Sequence, residues 1–144
     1  MELIVTISIM AILAGVVVTQ VLPYIEKANE AKDLQVMEAF CIAAREAYIA
    51  SGQAGASEEI YTTVVIKKNT GWVAKTTDGT GAENMFIETD FYEASGINTR
   101  NPVFLSKEAN SIHKITIICK PGSPMVKLTV EGPQNPEIFA VDAN

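Results

Sequence analysis

A run of 23 residues without a formal charge, from Leu3 to Ile25, directly follows a single carboxylate at Glu2. At a rise of about 1.5 Å per residue, a helix of this length reaches roughly 35 Å, whereas the hydrocarbon core of a bilayer is about 30 Å thick. A secretory signal peptide would need a basic start, a shorter apolar stretch and a small-residue cleavage site. We therefore expect the run to be retained as a membrane-spanning helix.

The residues after Ile25 continue the helix with only one apolar face. Between the apolar positions stand Ala, Glu, Lys and Gln, which are strong helix formers, and Gly52 with Gly55 supplies a stop. The pattern predicts one continuous helix from about residue 2 to about residue 51, uniformly apolar in its first half and amphipathic in its second. The apolar stripe of the second half has spacings of three and four and consists of Leu34, Met37, Cys41, Ala44 and Tyr48.

The rest of the chain alternates apolar and polar side chains in short runs, which is typical of strands with one buried face. Residues 60–77 predict a hairpin with a turn near Asn69–Gly71, and residues 113–130 predict a second one that turns at Pro121–Pro124. A short helix is predicted within residues 79–97, and an edge strand at residues 138–141. The inward positions of the second hairpin are His113, Ile115, Ile117, Cys119, Val126, Leu128 and Val130.

These elements predict an α+β fold, in which the amphipathic half of a long N-terminal helix packs on a small antiparallel sheet. Residues 1–25 would form the transmembrane helix, and residues 26–52 its amphipathic continuation. Residues 53–144 would form a globular antiparallel-sheet head. The formal net charge is −6 and no block of Lys or Arg is present, which argues against a nucleic-acid-binding surface.

Residues that would carry enzymatic or metal chemistry are sparse. Cys41 and Cys119 fit no metal-ligand spacing, and the single histidine, His113, falls on the inward phase of a strand, where a packed core residue is the favoured interpretation. We expect no catalytic site, no metal and no cofactor. Cys41 lies in the helix stripe and Cys119 on the buried strand face, so these two are a candidate disulfide, with small buried thiols as the alternative.

The opening stretch "ELIVTISIMAILAG" resembles the N-terminal signature of type IV pilins and the related pseudopilins, in which Glu-Leu is followed by Ile, Val, Ala and Leu. The resemblance covers about the first 25 residues closely, the next 25 by pattern, and the head by architecture alone. In this family the signature Glu stands fifth after cleavage of a leader. Because it stands second here, we expect three further residues in front of Met1.

The resemblance implies a role for Glu2. A carboxylate in hydrocarbon costs at least about 2.5 kcal/mol and persists only with a partner. The implied partner is the N-terminal amine of a neighbouring subunit, so that pairing sets the register of a growing filament. In such a filament, residues 1–25 would be the filament-core helix. The alternative is a Glu at the membrane interface that stays solvated and caps the positive end of the helix dipole.

Two further features of the run bear on assembly. Ser8, Ala11 and Gly15 lie on one face, where small side chains allow close approach of helices; the alternative is a membrane helix with incidental small residues. The segment from Gly15 to Pro23 is a weak helix, because Gly15 is flexible, residues 16–19 are β-branched, and Pro23 cannot donate to the Thr19 carbonyl. We expect residues 15–22 to be helical in the membrane and partly non-helical in a polymer.

Three functions remain open from the sequence. The leading prediction is a major pilin, a structural filament subunit for adhesion, motility or DNA uptake, stored as a single-pass protein of the inner membrane with its head outside the cytoplasm. Implied partners are identical copies, a prepilin peptidase, a platform protein and its ATPase, membrane lipids before assembly, and an unidentified surface ligand. The alternatives are a pseudopilin of a type II secretion or competence system, and a membrane-anchored binding domain that never polymerises.

Overall fold

The computed structural model describes residues 1–51, 60–68, 71–96, 102–122 and 125–143. The predicted stop residues Gly52 and Gly55 and parts of both predicted hairpin turns, at residues 69–70 and 123–124, lie outside these ranges. Within them the fold is α+β, with elements in the order α1 Glu2–Ala50, β1 Tyr61–Lys68, β2 Gly71–Thr77, α2 Met85–Ser95, α3 Lys107–Asn110, β3 Lys114–Cys119, β4 Val126–Glu131, a 3₁₀ turn Pro136–Phe139 and β5 Val141–Ala143.

Helix α1 is continuous over 49 residues, which corresponds to a rod of about 75 Å. It begins with Glu2 in its first turn and ends at Ser51. There the Ser51 backbone N–H donates to the Ala47 carbonyl at 3.0 Å, and the Ser51 hydroxyl donates to the Tyr48 carbonyl at 2.7 Å. These bonds satisfy carbonyls that the last helical turn leaves without partners. The predicted single helix, including its C-terminal end near residue 51, is confirmed.

The described strands form one antiparallel sheet in the order β2-β1-β3-β4-β5. Both predicted hairpins are present: Val65 of β1 pairs with Ala74 of β2, and Ile117 of β3 pairs with Leu128 of β4. The two hairpins join through β1 and β3, which pair antiparallel along six residues. The predicted alternation therefore decides which face of each strand is inside, and the β1–β3 pairing makes one sheet out of two hairpins.

The core lies between the inner face of this sheet and the second half of α1. The predicted inward positions that lie on β3 and β4 are all buried, namely Ile115, Ile117, Cys119, Val126, Leu128 and Val130. From α1 the core receives the predicted stripe residues Met37, Cys41, Ala44 and Tyr48, together with Phe40, Ala43 and Ala47. Leu34 is only partly buried. The amphipathic half of the helix therefore covers the sheet, as the period of 3.6 residues requires.

Two predictions about the sheet are wrong in detail. His113 precedes β3 rather than belonging to it, and its side chain is exposed beside Gly132, where an added Cβ would lie 2.7 Å from the imidazole Nδ1. The last strand begins at Val141 and not at Ile138, which lies in the 3₁₀ turn. Pro136 starts that turn because its fixed φ favours a helical first position and it has no N–H to give to a strand.

Helix α2 lies against the outer edge of the sheet. Its first turn is capped by Asn84, whose side chain accepts the Ile87 N–H at 3.3 Å, and it ends at Gly96 in the left-handed conformation, with φ of 66°. From this helix the Tyr92 hydroxyl accepts the Ala74 N–H at 2.7 Å and donates to the Ala74 carbonyl at 2.9 Å. Ala74 is in the middle of β2, an edge strand, so Tyr92 occupies the backbone groups that a further strand would use.

Candidate functional site

The first half of α1 packs against nothing in the described chain. No residue of its most apolar segment is buried, and by length and composition the helix could cross a membrane. The large apolar side chains of this half that stand exposed are Leu3, Ile4, Val5, Ile7, Ile9, Met10, Ile12, Leu13, Val16, Val17, Val18, Val21, Leu22 and Ile25. A contiguous apolar surface of this size marks an interaction site or a membrane segment.

Three hydroxyl groups in this half are bonded to the helix itself. Thr6 Oγ1 donates to the Leu3 carbonyl at 2.9 Å, Ser8 Oγ donates to the Ile4 carbonyl at 2.8 Å, and Thr19 Oγ1 donates to the Val16 carbonyl at 3.0 Å. A hydroxyl placed in an apolar environment without a partner would cost roughly 1–3 kcal/mol. Because these three already have acceptors, they can leave water without that cost, and the exposed side chains of Gln20 and Tyr24 are the remaining neutral polar groups of this half.

Glu2 is the charged residue on this surface. Its backbone carbonyl accepts the Thr6 hydroxyl at 3.1 Å, but within the described residues no hydrogen bond or ion pair reaches its carboxylate. The side chain is exposed in the first turn, next to Met1. The structure therefore leaves the only formal negative charge of this half for a group outside the chain or for solvent.

The small residues Ser8, Ala11 and Gly15 are all exposed on one side of the helix. A Cβ added at Gly15 would meet nothing within 4 Å. Glycine costs about 1 kcal/mol relative to alanine inside a helix. Nothing in the described chain offsets that cost, so Gly15 has no packing role in the isolated subunit.

The weak segment from Gly15 to Pro23 is helical here. Pro23 lies inside α1 without ending it, and Thr19 Oγ1 also approaches the Gly15 carbonyl at 3.4 Å. The proline has no N–H for the Thr19 carbonyl, so one hydrogen bond of the helix is missing at this point. The helical state that we expect for the membrane is thus the one described, and melting in a polymer stays a prediction.

A clamp between α1 and the segment before α3 was missed from the sequence. The Asp33 carboxylate, 1% exposed, accepts the Leu105 N–H at 2.9 Å through Oδ1 and the Ser106 N–H at 2.7 Å through Oδ2. Seven residues earlier, Glu26 Oε1 accepts the Lys107 N–H at 2.7 Å. The available signal was Asp33 itself, four residues before Met37 on the buried side of the stripe.

Cys41 and Cys119 lie together in the core as free buried thiols. The Cys119 thiol donates to the Ala44 carbonyl of α1 at 3.8 Å. Burial raises the pKa of both thiols to about 12, and for Cys41 the neighbouring Cys119 adds to the effect. The structure therefore brings the predicted pair to one place at the interface of helix and sheet, and their oxidation to a disulfide stays a prediction.

Comparison of the chain with protein-family models, with curated proteins and with solved structures gives no match. Across the described ranges, no group of three or more His, Cys, Asp or Glu side chains lies close enough to hold a metal ion. The feature that remains for interpretation is the bare half of α1 with its terminal carboxylate.

Proposed function

We propose that this protein is a subunit of a type IV pilus-like filament, stored in a membrane and polymerised through the first half of α1. The observation that supports this most is the division of one 49-residue helix. Its second half is built into the head, whereas its first half exposes mainly apolar side chains, together with three hydroxyl groups bonded to the helix, the polar side chains of Gln20 and Tyr24, and one terminal acid. Such a helix needs an apolar environment that the chain itself does not supply.

Two environments fit that need. A bilayer surrounds a single helix with hydrocarbon, and a bundle of identical helices surrounds each copy with apolar side chains. Between helices in lipid, small residues allow the close contact that drives association. Gly15, which has no packing role in the subunit, together with Ser8 and Ala11, supports the bundle as the end state.

Glu2 supports polymerisation in register. In hydrocarbon its carboxylate needs a positive partner, and the N-terminal amine of a neighbouring copy is an exposed cation at the same end of the same helix. Removing one partner of a buried ion pair costs about 3–5 kcal/mol. A subunit that enters the filament out of register would leave both charges unpaired, so this pairing would select one axial offset.

The proposed location follows from the same division. The first half of α1 would cross the inner membrane once before assembly, with the head outside the cytoplasm, and the polymer would be a filament at the cell surface. The resemblance to pilins adds a prepilin peptidase, a platform protein and an ATPase as partners. Adhesion, motility and DNA uptake are all served by filaments of this kind.

The decisive experiment introduces Glu2→Gln into the full chain and examines sheared surface material by electron microscopy. We expect long filaments from the unaltered chain and few or disordered ones from the variant, with equal amounts of both chains in the membrane. Glu38→Gln is the matched control, since Glu38 is exposed on the second half of the same helix. Normal filaments from the Glu2 variant would contradict the pairing.

The close-packing role is tested by Gly15→Leu. The added side chain meets nothing in the subunit, so membrane insertion and head stability should not change. Filament yield should fall, because the larger side chain separates the helices. Val17→Leu, at a position 53% exposed, adds volume elsewhere on the helix and should assemble better than the Gly15 variant. Equal filament yields from the two variants would show that the face of Ser8, Ala11 and Gly15 is not in the helix–helix contact.

If the unaltered chain forms no filament and is found only as single anchored molecules, the proposal is wrong. The membrane-anchored binding domain would then be the better description. Short assemblies that stay within the cell envelope would instead indicate a pseudopilin.

A further inference from the structure

The segment from Pro102 to Lys107, here called the base loop, is held at the level where the apolar run of α1 ends. The last residue of that run is Ile25, and the Lys107 N–H bonds to the next residue, Glu26, at 2.7 Å. The Leu105 N–H bonds to Asp33 at 2.9 Å. Asp33 is eight residues beyond Ile25, which corresponds to about 12 Å along the helix axis. The base loop is therefore fixed within the first two or three turns above the apolar run.

The base loop alternates between inward and outward side chains. Phe104, 6% exposed, contacts the Trp72 ring edge-on with centroids 5.6 Å apart, and Ser106 is fully buried as the N-cap of α3. Between and before them, Val103 is 72% exposed and Leu105 is 48% exposed. The two inward residues and the two carboxylates of α1 thus hold a pair of apolar side chains at the surface.

The position of this pair agrees with the outer layer of a bilayer. A bilayer is about 40–45 Å thick with its headgroups and about 30 Å thick without them, so each polar layer measures about 5–8 Å. If Leu3–Ile25 fills the hydrocarbon, Glu26 and the Lys107 end of the base loop lie in that layer. Leu105, bonded about 12 Å beyond Ile25, reaches the same depth if α1 tilts toward the base loop, and transmembrane helices tilt by about 0–40° from the bilayer normal.

The polar residues around the base loop have the character of a membrane interface. Tyr24, 73% exposed, stands at the end of the apolar run, and tyrosine is enriched where hydrocarbon meets headgroups. Lys27, Lys32 and Lys107 are exposed, and within the described residues none of them takes part in an ion pair. Lysine side chains at such a position extend toward lipid phosphates.

We infer that the base loop is a second membrane contact of the stored subunit, in which Val103 and Leu105 enter the headgroup layer of an anionic bilayer beside α1. The head would then sit directly on the membrane surface in one orientation, and entry into a filament would require this contact to break. The inference rests on membrane storage as proposed above. It commits to lipid as the occupant, because the base loop is bonded to α1 directly beyond the apolar run and is accompanied by Tyr24 and by lysines that form no ion pair within the described residues.

The test attaches an environment-sensitive fluorophore to one introduced cysteine at a time in the full chain. Each labelled protein is reconstituted in vesicles of phosphatidylcholine and phosphatidylglycerol that contain brominated lipid. The variants Val103→Cys and Leu105→Cys report on the base loop. Labelling should be specific, because Cys41 and Cys119 are buried and burial raises the pKa of both thiols to about 12. The unaltered chain, taken through the same labelling, measures any reaction of those two.

Two control positions separate the possible failures. Leu13→Cys lies inside the apolar run and should lose fluorescence to brominated lipid if α1 spans the bilayer. Ile49→Cys is the matched control, since Ile49 and Leu105 are both 48% exposed, but Ile49 lies about 36 Å beyond Ile25 along the axis. We expect loss of fluorescence at positions 13, 103 and 105 and none at 49.

Quenching at position 13 with none at 103 and 105 would overturn the base-loop contact and leave membrane storage intact. No quenching at position 13 would refute membrane storage itself. The fluorophore at 103 or 105 could instead report an apolar environment that depends on the protein-to-lipid ratio and disappears on dilution in lipid. The contact would then be with a second copy, and the inference would be wrong.

Discussion

The two halves of α1 have the same secondary structure and opposite relations to the rest of the chain. From Asp33 to Tyr48 the helix buries eight residues against the head, whereas no residue of the most apolar segment of the first half is buried. An apolar side chain therefore stabilises the head in one half and contributes nothing to it in the other. The comparison teaches that the apolar content of a helix does not reveal its role until one knows which residues have neighbours.

The two halves also differ in how they treat a carboxylate. Asp33 is buried with two backbone N–H donors, and within the described residues the Glu2 carboxylate has no such donor. A carboxylate that accepts backbone N–H bonds can be buried at little cost. One acid is thus satisfied by the fold, and the other is available for something outside it.

The largest expected effect comes from truncating one methionine in each half. Met37 is fully buried and Met10 is 70% exposed. Met37→Ala should lower the free energy of unfolding of the head by about 2–5 kcal/mol, because it leaves a cavity in the core. Met10→Ala should change it by less than about 0.5 kcal/mol. Urea unfolding in detergent, followed by Trp72 fluorescence, measures both.

Equal losses from the two methionine variants would break the comparison. That result would mean that the first half also supports the head, through contacts that form in detergent or between copies.

The carboxylate pair gives a smaller effect. Asp33→Asn should lower the free energy of unfolding by about 1–3 kcal/mol, because an amide offers one acceptor oxygen where two N–H groups need one each. Glu2→Gln should leave the free energy of unfolding unchanged, although we expect it to disturb assembly. The same urea titration decides. A stable Asp33→Asn variant would show that water replaces the lost acceptor and that the clamp is not important for stability.

The smallest expected effect is on the reactivity of two thiols, Cys41 in the second half of α1 and Cys119 on β3. Because burial raises the pKa of Cys41 and Cys119 to about 12, the folded protein should react slowly with a maleimide at neutral pH. Ala39→Cys, on the exposed side of the same helix turn, should react fast. Unfolding without reductant then gives two reactive thiols if the pair is free and none if it is a disulfide.

The same pKa values predict a sign for the pH dependence of stability. Unfolded thiols ionise near the ordinary value of 9.0, whereas the folded ones keep their protons to about 12. Between these values the unfolded state binds fewer protons, so stability that is fully present below pH 9 should fall as the pH rises. Replacing both cysteines with alanine should reduce the slope of this fall, and an unchanged slope would contradict the assignment.

Much of the fold was predictable because it follows from local periodicity. The period of 3.6 residues placed Met37 and Tyr48 on the buried stripe, and the period of two placed Ile117 and Leu128 on the inner face of a hairpin. Both signals depend on neighbours within a few residues. The helix from Glu2 to Ala50 was predictable for the same reason, since strong helix formers follow an apolar run without a break.

What the sequence did not reveal depends on partners that are distant along the chain. Asp33 bonds to Leu105, 72 residues away, and Tyr92 bonds to Ala74 across the sheet edge. Neither the helical period nor the strand period carries information about pairs that are this far apart along the chain. His113 was misplaced because the alternation extends in front of the start of β3. There the backbone still bonds, with the His113 N–H donating to the Glu131 carbonyl at 3.1 Å and the His113 carbonyl accepting the Lys67 N–H at 3.0 Å, but the side chain is exposed.

The Tyr92 hydroxyl on Ala74 has a consequence for crowding. Molecules that are tethered side by side by parallel helices meet one another far more often than molecules free in solution, and an open strand edge would then join neighbouring heads into a continuous ribbon. One phenol closes both backbone groups at the midpoint of that edge. A neighbouring head therefore finds no free backbone group at this residue, which would favour separate heads in the side-by-side storage proposed above.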